Sequence, residues 1–151
     1  NFLNNKKIQD KILNFFLKEK IGNEKIIFIK DEDKKHFFEH YNNIDIALDT
    51  YPYSGATTSF GALCMGVPVF TLTGKNYISR QSASVLSSIG LSNWIENNKK
   101  DYVKTLKKIA DVNNLIKLRQ TLRKKIIKSN LCNDKFFYKD FENKIEKILN
   151  E

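Results

Sequence analysis

Short apolar runs, rich in β-branched residues, alternate with stretches of helical periodicity over the first 90 residues, and this alternation limits the possible folds most strongly. The runs cover residues 26–29, 45–50 and 67–72, and each has the length of one buried strand. Because helices separate these strands, the connections are crossovers and successive strands lie parallel. We therefore predict an α/β fold with a Rossmann-like parallel sheet.

Four helices are predicted between and around these strands, over residues 8–21, 37–41, 59–65 and 79–89. Three of them end directly before a glycine, the residue that most readily takes the left-handed conformation at a helix end. The three glycines are Gly22, Gly66 and Gly90.

The pattern changes near residue 99, after which apolar residues recur only at helical spacing. Three amphipathic helices are predicted there, over residues 102–109, 115–126 and 136–149. We therefore divide the chain into a partial Rossmann-like domain, residues 1–98, and a C-terminal helical tail, residues 99–151, which packs on the same domain.

The formal net charge of +9 is concentrated in this tail. Residues 1–98 carry 11 basic and 10 acidic groups, a balance of +1, whereas residues 99–151 carry 15 basic and 7 acidic groups, a balance of +8. Lysine supplies 23 of the 26 basic residues, so the arginine forks typical of nucleic-acid contacts are scarce and nucleic acid is not favoured as a partner. The apolar runs are too short to span a membrane, and two cysteines indicate a reducing compartment, so we expect a cytoplasmic location and no membrane contact.

The loop after the second predicted strand, residues 50–59, has the composition of an anion site. Ligands of open parallel sheets bind beyond the carboxyl ends of the strands. Gly55 and Ala56 leave room for a ligand near the backbone, while Thr57, Thr58 and Ser59 offer hydroxyl and N–H groups where a helix begins. A diphosphate would fit these donors, although an ordinary threonine-capped loop has the same composition. The chain has neither a Walker A loop nor a Gly-x-Gly-x-x-Gly sequence.

Two groups of residues resemble metal ligands. The acidic run at residues 31–33 follows a predicted strand, and His36 and His40 lie four residues apart on a predicted helix. The carboxylates serve equally well as helix caps, and the histidines lack a third ligand, so no metal is predicted.

An ordered set of motifs resembles the O-linked N-acetylglucosamine transferases and their SPINDLY-like relatives. The motifs are LDT at residues 48–50, PYSGATTS at 52–59, MGVPV at 65–69 and SR at 79–80. The similarity extends from Lys25 through the Asp101-Tyr102-Val103 segment.

The resemblance implies the C-terminal, donor-binding half of a GT-B glycosyltransferase, made of two Rossmann-like domains in its full length. Such an enzyme transfers a sugar, N-acetylglucosamine first among the candidates, from a UDP-sugar to Ser or Thr of a protein, without a metal or other cofactor. Protein acceptors would be engaged by N-terminal regions that this chain lacks, so we expect the isolated chain to bind nucleotide weakly and to transfer nothing. The donor-binding residues implied by position are Lys34, Phe37, Tyr53, Gly55, Ala56, Thr57, Thr58 and Arg80; no catalytic residue is assigned.

The sequence departs from the family pattern at two positions. Ala56 stands where relatives often have His or Thr, and Gly61 stands where they usually have a Glu or Asp that binds the ribose hydroxyls. Loss of that carboxylate predicts weaker donor binding. Other roles also stay open: Phe37 as a core residue, Arg80 as a structural anchor, and the whole chain as a non-catalytic nucleotide-sugar-binding or protein-interaction remnant.

Overall fold

The computed structural model describes residues 4–29 and 37–150, and the chain divides into two compact units, Asn1–Phe37 and Phe38–Glu151. In the described residues, no helix is both long enough and apolar enough to cross a membrane. The strands of the sheet and the helices that connect them all belong to the second unit.

The first unit contains helix α1, Lys6–Lys18, which begins where the Asn5 side chain accepts a hydrogen bond from the Lys7 N–H at 3.0 Å. A 3-10 helix, Asn23–Lys25, follows. The predicted strand at residues 26–29 is wrong: these residues form no strand, and the Ile27 side chain is 84% exposed. Since no other described residue of this unit forms a strand, the run has no ladder partner within the unit, and β propensity alone cannot supply one.

The second unit holds the sheet, with strands β1 (Ala47–Leu48), β2 (Val69–Leu72) and β3 (Ile95–Glu96) in the order β1-β2-β3. Both pairings are parallel, with Ala47 opposite Val69 and Thr71 opposite Ile95, so the predicted parallel sheet is confirmed. All four residues of β2 are buried, as expected of a central strand. The two-residue strand β3 was not predicted, because so short a segment gives no periodic signal.

Helix α2, Thr57–Cys64, connects β1 to β2, and helix α3, Gln81–Ser88, connects β2 to β3. Helix α2 begins two residues before the predicted start at residue 59, and a 3-10 turn, Tyr77–Arg80, precedes α3. Gly66 and Gly90 follow these helices with φ of +79° and +72°, as predicted from their positions. The helix end predicted at Gly22 is wrong, because α1 ends at Lys18, Lys20 takes the left-handed conformation with φ of +62°, and Gly22 has a φ of −69°. A further 3-10 helix, Phe37–Asn43, replaces the α-helix predicted around residues 37–41.

The tail contains helices α4 (Tyr102–Ile109), α5 (Val112–Ile127) and α6 (Asp134–Leu149). The α5 residues Leu122 and Ile126 are fully buried in the core that also holds the sheet residues Val69 and Phe70. Complete burial of one such side chain contributes about 1.5–3 kcal/mol. Tyr102, Leu106 and Ile109 of α4 are partly buried against the same core, so α4 and α5 are both part of this fold, whereas no residue of α6 belongs to that core.

Hydrogen bonds and ring contacts reinforce this packing. The Tyr102 ring on α4 lies 4.6 Å from the Phe70 ring on β2, measured between centroids. The Arg119 guanidinium on α5 donates to the carbonyl oxygens of Ile44 at 2.6 Å and Tyr41 at 2.8 Å. These bonds fix the segment that leads into β1, and hence the position of the loop that leaves it.

Candidate functional site

Asp49, the residue directly after β1, organises the loop over residues 50–59. Its Oδ1 accepts hydrogen bonds from the N–H of Gly55 at 2.7 Å and from the N–H of Thr50 at 3.0 Å. Its Oδ2 accepts from the Thr71 hydroxyl on β2 at 2.7 Å. One carboxylate therefore ties the glycine of the loop to the central strand.

Three buried serines hold the same loop against α3. The Ser82 hydroxyl donates to the Gly55 carbonyl oxygen at 2.6 Å and lies 2.8 Å from the Ser59 hydroxyl. The Ser54 hydroxyl donates to the Ile78 carbonyl oxygen at 2.8 Å and accepts from the Gln81 N–H at 3.2 Å. Both peptide groups of Gly55 are thus satisfied inside the protein, so neither is free for a ligand.

The N-terminus of α2 leaves three hydrogen-bond donors unused. In the described part of the chain, the N–H groups of Thr57, Thr58 and Ser59 have no hydrogen-bond partner, and Ala56 at the N-cap supplies none from its side chain. The first turn of α2 carries no acidic side chain. Free N–H groups and the positive end of the helix dipole make this terminus attractive to an anion.

A largely apolar cleft of about 600 Å³ opens beside this terminus. Its walls include Ala56 and Thr57 from the turn, Gly61 from α2, and the Phe38 ring. The Cε1 atom of Phe38 would lie 3.6 Å from a Cβ placed on Gly61, an ordinary contact distance, so Gly61 faces this ring directly. An anion at Thr57 could therefore belong to a ligand whose apolar or aromatic part occupies the cleft.

Arg80 lines an adjoining cleft of about 430 Å³, where its exposed side chain lies with Thr73 and Tyr77. Tyr77 and Gln81 border both clefts, so Arg80 and the N-terminus of α2 face neighbouring spaces. This position puts a positive charge in the cleft that adjoins the one beside the unused N–H groups.

The structure brings together only part of the predicted site. Gly55, Ala56, Thr57 and Thr58 form one turn, with Arg80 beside the adjoining cleft. Tyr53 is 69% exposed, and its carbonyl oxygen accepts a hydrogen bond from the Thr50 hydroxyl, but its ring is not among the residues lining either cleft.

Lys34 lies outside the described residues, and so do Asp31, Glu32, Asp33 and His36, which resemble metal ligands or caps in the sequence. Phe37 is 41% exposed and belongs to the first unit, so its predicted contact with the nucleotide stays a prediction.

Two residues with clear positions at the site were missed from sequence. Phe38, rather than its neighbour Phe37, lines the cleft; the sequence offers two adjacent rings and no means to choose between them. Asp49 was predicted only as part of a strand, although the LDT motif that contains it was a usable signal.

The electrostatics near the turn reflect burial and the charge of Asp49. Burial raises the pKa of the Tyr102 hydroxyl, and the Asp49 carboxylate raises it further. Burial is also the main cause that raises the pKa of the Cys64 thiol in the cleft wall, so this thiol is protonated and weakly nucleophilic near neutral pH.

Comparison with known proteins identifies the family. Residues 5–141 match the family described as glycosyl transferase family 41. The chain belongs to glycosyl transferase family 41. The match covers the whole sheet and most of the helical tail, so it includes every part of the site described above.

Individual family 41 relatives agree with this assignment. The probable UDP-N-acetylglucosamine–peptide N-acetylglucosaminyltransferase SPINDLY of Eustoma exaltatum subsp. russellianum is 42% identical over 103 residues, which is 68% of this chain and 11% of that protein. The equally named protein of Solanum lycopersicum is 39% identical over the same shares. The chain therefore spans about a tenth of the length of these relatives.

A solved family structure shows the same fold. A mutant of the Thermobaculum terrenum O-GlcNAc transferase superposes with a TM-score of 0.75 and 32% sequence identity, over 82% of this chain and 24% of that one. The predicted fold, a Rossmann-like parallel sheet of GT-B type with helices at its C-terminal end, is confirmed by this match.

Proposed function

We propose that this chain is the donor-binding part of a glycosyltransferase that transfers a sugar from a UDP-sugar to Ser or Thr hydroxyls of proteins. N-acetylglucosamine is the first candidate for that sugar. The observation that carries the proposal is the set of three unused N–H groups at Thr57, Thr58 and Ser59, beside a cleft of about 600 Å³. Family membership supports the reaction class, and the names of the relatives support the donor and the peptide acceptor.

In this proposal the diphosphate binds at the N-terminus of α2. Thr57 and Thr58 are both exposed residues, as are Ala56 and Arg80. Gly55 contributes by having no side chain, since its N–H is already bound to Asp49. Helix dipole and guanidinium together would stabilise the negative charge on the departing nucleoside diphosphate, which is how a glycosyltransferase can work without a metal.

The nucleobase occupies the apolar cleft in this proposal. A ring stacked on an aromatic side chain gains contact energy without needing a charged partner. Phe38 lines the cleft, so we assign the stacking role to it and leave Phe37 as the alternative from the sequence. Gly61 supplies no carboxylate to the ribose, which favours weak binding by this chain and keeps a nucleotide-binding, non-catalytic role as the second candidate function.

Titration calorimetry of this chain with UDP tests the proposal. We expect saturable binding in the wild type and a loss of at least about tenfold in affinity in Thr57→Val/Thr58→Val, since two hydroxyls that bond a charged group are removed. Thr121→Val, a matched change of an exposed helical threonine on α5, should bind UDP as the wild type does. Absence of UDP binding at millimolar concentration contradicts the proposal. Titrations with GDP and with inorganic phosphate, compared with UDP, measure how much the base contributes to the affinity.

Transfer itself is tested separately. We propose that the isolated chain forms no glycosylated product from UDP-N-acetylglucosamine and a Ser/Thr peptide, because the acceptor is bound by parts of the longer enzyme. Mass spectrometry of the peptide decides this, and a sugar added by this chain alone would contradict it.

Both cysteines are free, as in a reducing compartment, and a cytoplasmic location stays a prediction.

A further inference from the structure

The carboxylate of Asp49 takes no part in the contacts to the UDP-sugar proposed above, yet it accepts three hydrogen bonds from the loop and the sheet. Its two oxygens accept from the N–H groups of Gly55 and Thr50 and from the Thr71 hydroxyl, at 2.7 to 3.0 Å. Thr71 is fully buried on the central strand. The carboxylate is therefore fixed to the buried central strand and holds the loop on the side of the sheet.

The bond to Gly55 decides how the chain enters α2. Gly55 lies two residues before the helix, and its carbonyl oxygen is held by Ser82 while its N–H is held by Asp49. With both groups fixed, the following residues reach the helix with the N–H groups of Thr57, Thr58 and Ser59 left unbonded.

We propose that Asp49 is the positioning residue of the donor turn: it presets residues 55–58 so that an anion meets three N–H donors already in place. This inference rests on the proposed function, since it concerns the affinity of the same site. A charge-assisted bond such as Asp49–Gly55 is about twice as strong as a neutral one, so it restrains the turn better than an amide would. Preorganisation of this kind raises affinity because less ordering is left for the binding step.

The proposal predicts an order of UDP affinity. Asp49→Asn keeps the side-chain shape and one oxygen acceptor, so its dissociation constant should rise by only a few-fold. Asp49→Ala removes the acceptor and should raise the dissociation constant by about tenfold or more. A dissociation constant unchanged in folded Asp49→Ala overturns the proposal, as does an effect in Asp49→Asn as large as that in Asp49→Ala.

A stability control separates positioning from general weakening of the fold. Ile126→Ala removes a fully buried core side chain on α5, which takes part in none of the hydrogen bonds that hold the turn, and lowers the melting temperature. Measured well below its melting temperature, Ile126→Ala should bind UDP as the wild type does. If it loses affinity in proportion to its stability, as Asp49→Ala does, the role of Asp49 is structural only and the proposal fails.

A measurement without ligand tells failure of this proposal from failure of the proposed function. In the ¹H–¹⁵N spectrum, the Gly55 amide should lose its protection from hydrogen exchange in Asp49→Ala and retain part of it in Asp49→Asn. An unchanged Gly55 amide overturns the role of Asp49 whatever UDP does. A wild-type chain that binds no UDP contradicts the proposed function and the effect on affinity, while the Gly55 amide still decides whether Asp49 sets the turn.

Discussion

The hydroxyl of Ser82 and the carbonyl oxygen of Gly55 are 27 residues apart in sequence and 2.6 Å apart in space. Ser82 is fully buried on α3, and Gly55 belongs to the loop that leads into α2. This bond joins α3 to the first residue of the turn over residues 55–58, which leads into α2. The turn is therefore a property of the packed unit rather than of the local sequence alone.

Ser82→Ala should destabilise the protein by about 1–3 kcal/mol, because it leaves the Gly55 carbonyl oxygen and the Ser59 hydroxyl without this partner. Urea unfolding at neutral pH measures the loss. Ser88→Ala is the matched control on the same helix: its exposed hydroxyl bonds only to the Ser84 carbonyl oxygen, and its removal should cost less than about 0.5 kcal/mol. Equal effects in the two variants would show that the Ser82 network adds nothing to stability.

Gly61→Asp should tighten UDP binding by about tenfold, since a carboxylate that accepts hydrogen bonds from ribose hydroxyls contributes roughly 1.5–3 kcal/mol. The cleft has room for the side chain, as its Cβ would be 3.6 Å from the Phe38 ring. Calorimetry with UDP checks this result. Gly61→Asn is the control: it adds a side chain of the same size and also removes a glycine that weakens the helix, but it brings no charge, so its UDP affinity should rise less. Equal gains in UDP affinity in the two variants would argue against a charge-assisted contact.

The acid sensitivity of the protein should depend in part on Glu96 at the end of β3. Hydrogen bonds from the Thr105 hydroxyl at 2.7 Å, and from the N–H groups of Asn98 and Asn97, hold the pKa of this carboxyl below its ordinary value of 4.5. A lowered pKa stabilises the fold above the ordinary value, and this stabilisation is lost as the pH falls through the folded-state value.

Comparison of wild type with Glu96→Gln in urea at several pH values measures this effect. The difference in free energy of unfolding should be constant near neutral pH and should shrink below about pH 4.5. Thr105→Val removes the largest cause of the shift and should remove part of the same acid dependence. A difference between wild type and Glu96→Gln that stays constant down to about pH 3 would falsify this assignment.

The sequence predicted the elements whose patterns are local and repeated. The alternation of apolar runs and helical periodicity indicated a parallel sheet, and the strands at residues 47–48 and 69–72 lie within two of the predicted runs. Gly66 and Gly90 end their helices with positive φ, because only glycine adopts that conformation without strain. The order of the LDT, PYSGATTS and MGVPV motifs was enough to indicate the family that the comparison identifies.

The sequence misled where an element needs a distant partner. The apolar run at residues 26–29 has the composition of a strand, but a strand forms only where another strand offers its backbone groups, and no described residue of the first unit does so. The reverse holds for β3: two residues carry no periodic signal, yet Thr71 and Leu72 of β2 provide the partner that makes Ile95 and Glu96 a strand.

The sequence by itself determined the type of fold, the two helix ends at Gly66 and Gly90, and the loop that carries hydrogen-bond donors at residues 55–59. The tertiary structure alone decided which of those donors are free. Asp49 and Ser82 occupy both peptide groups of Gly55, while the N–H groups of Thr57, Thr58 and Ser59 stay unbonded in the part of the chain that is described. Periodicity reports which face of an element is buried, but the partner of each hydrogen bond is set only when residues far apart in sequence are packed together.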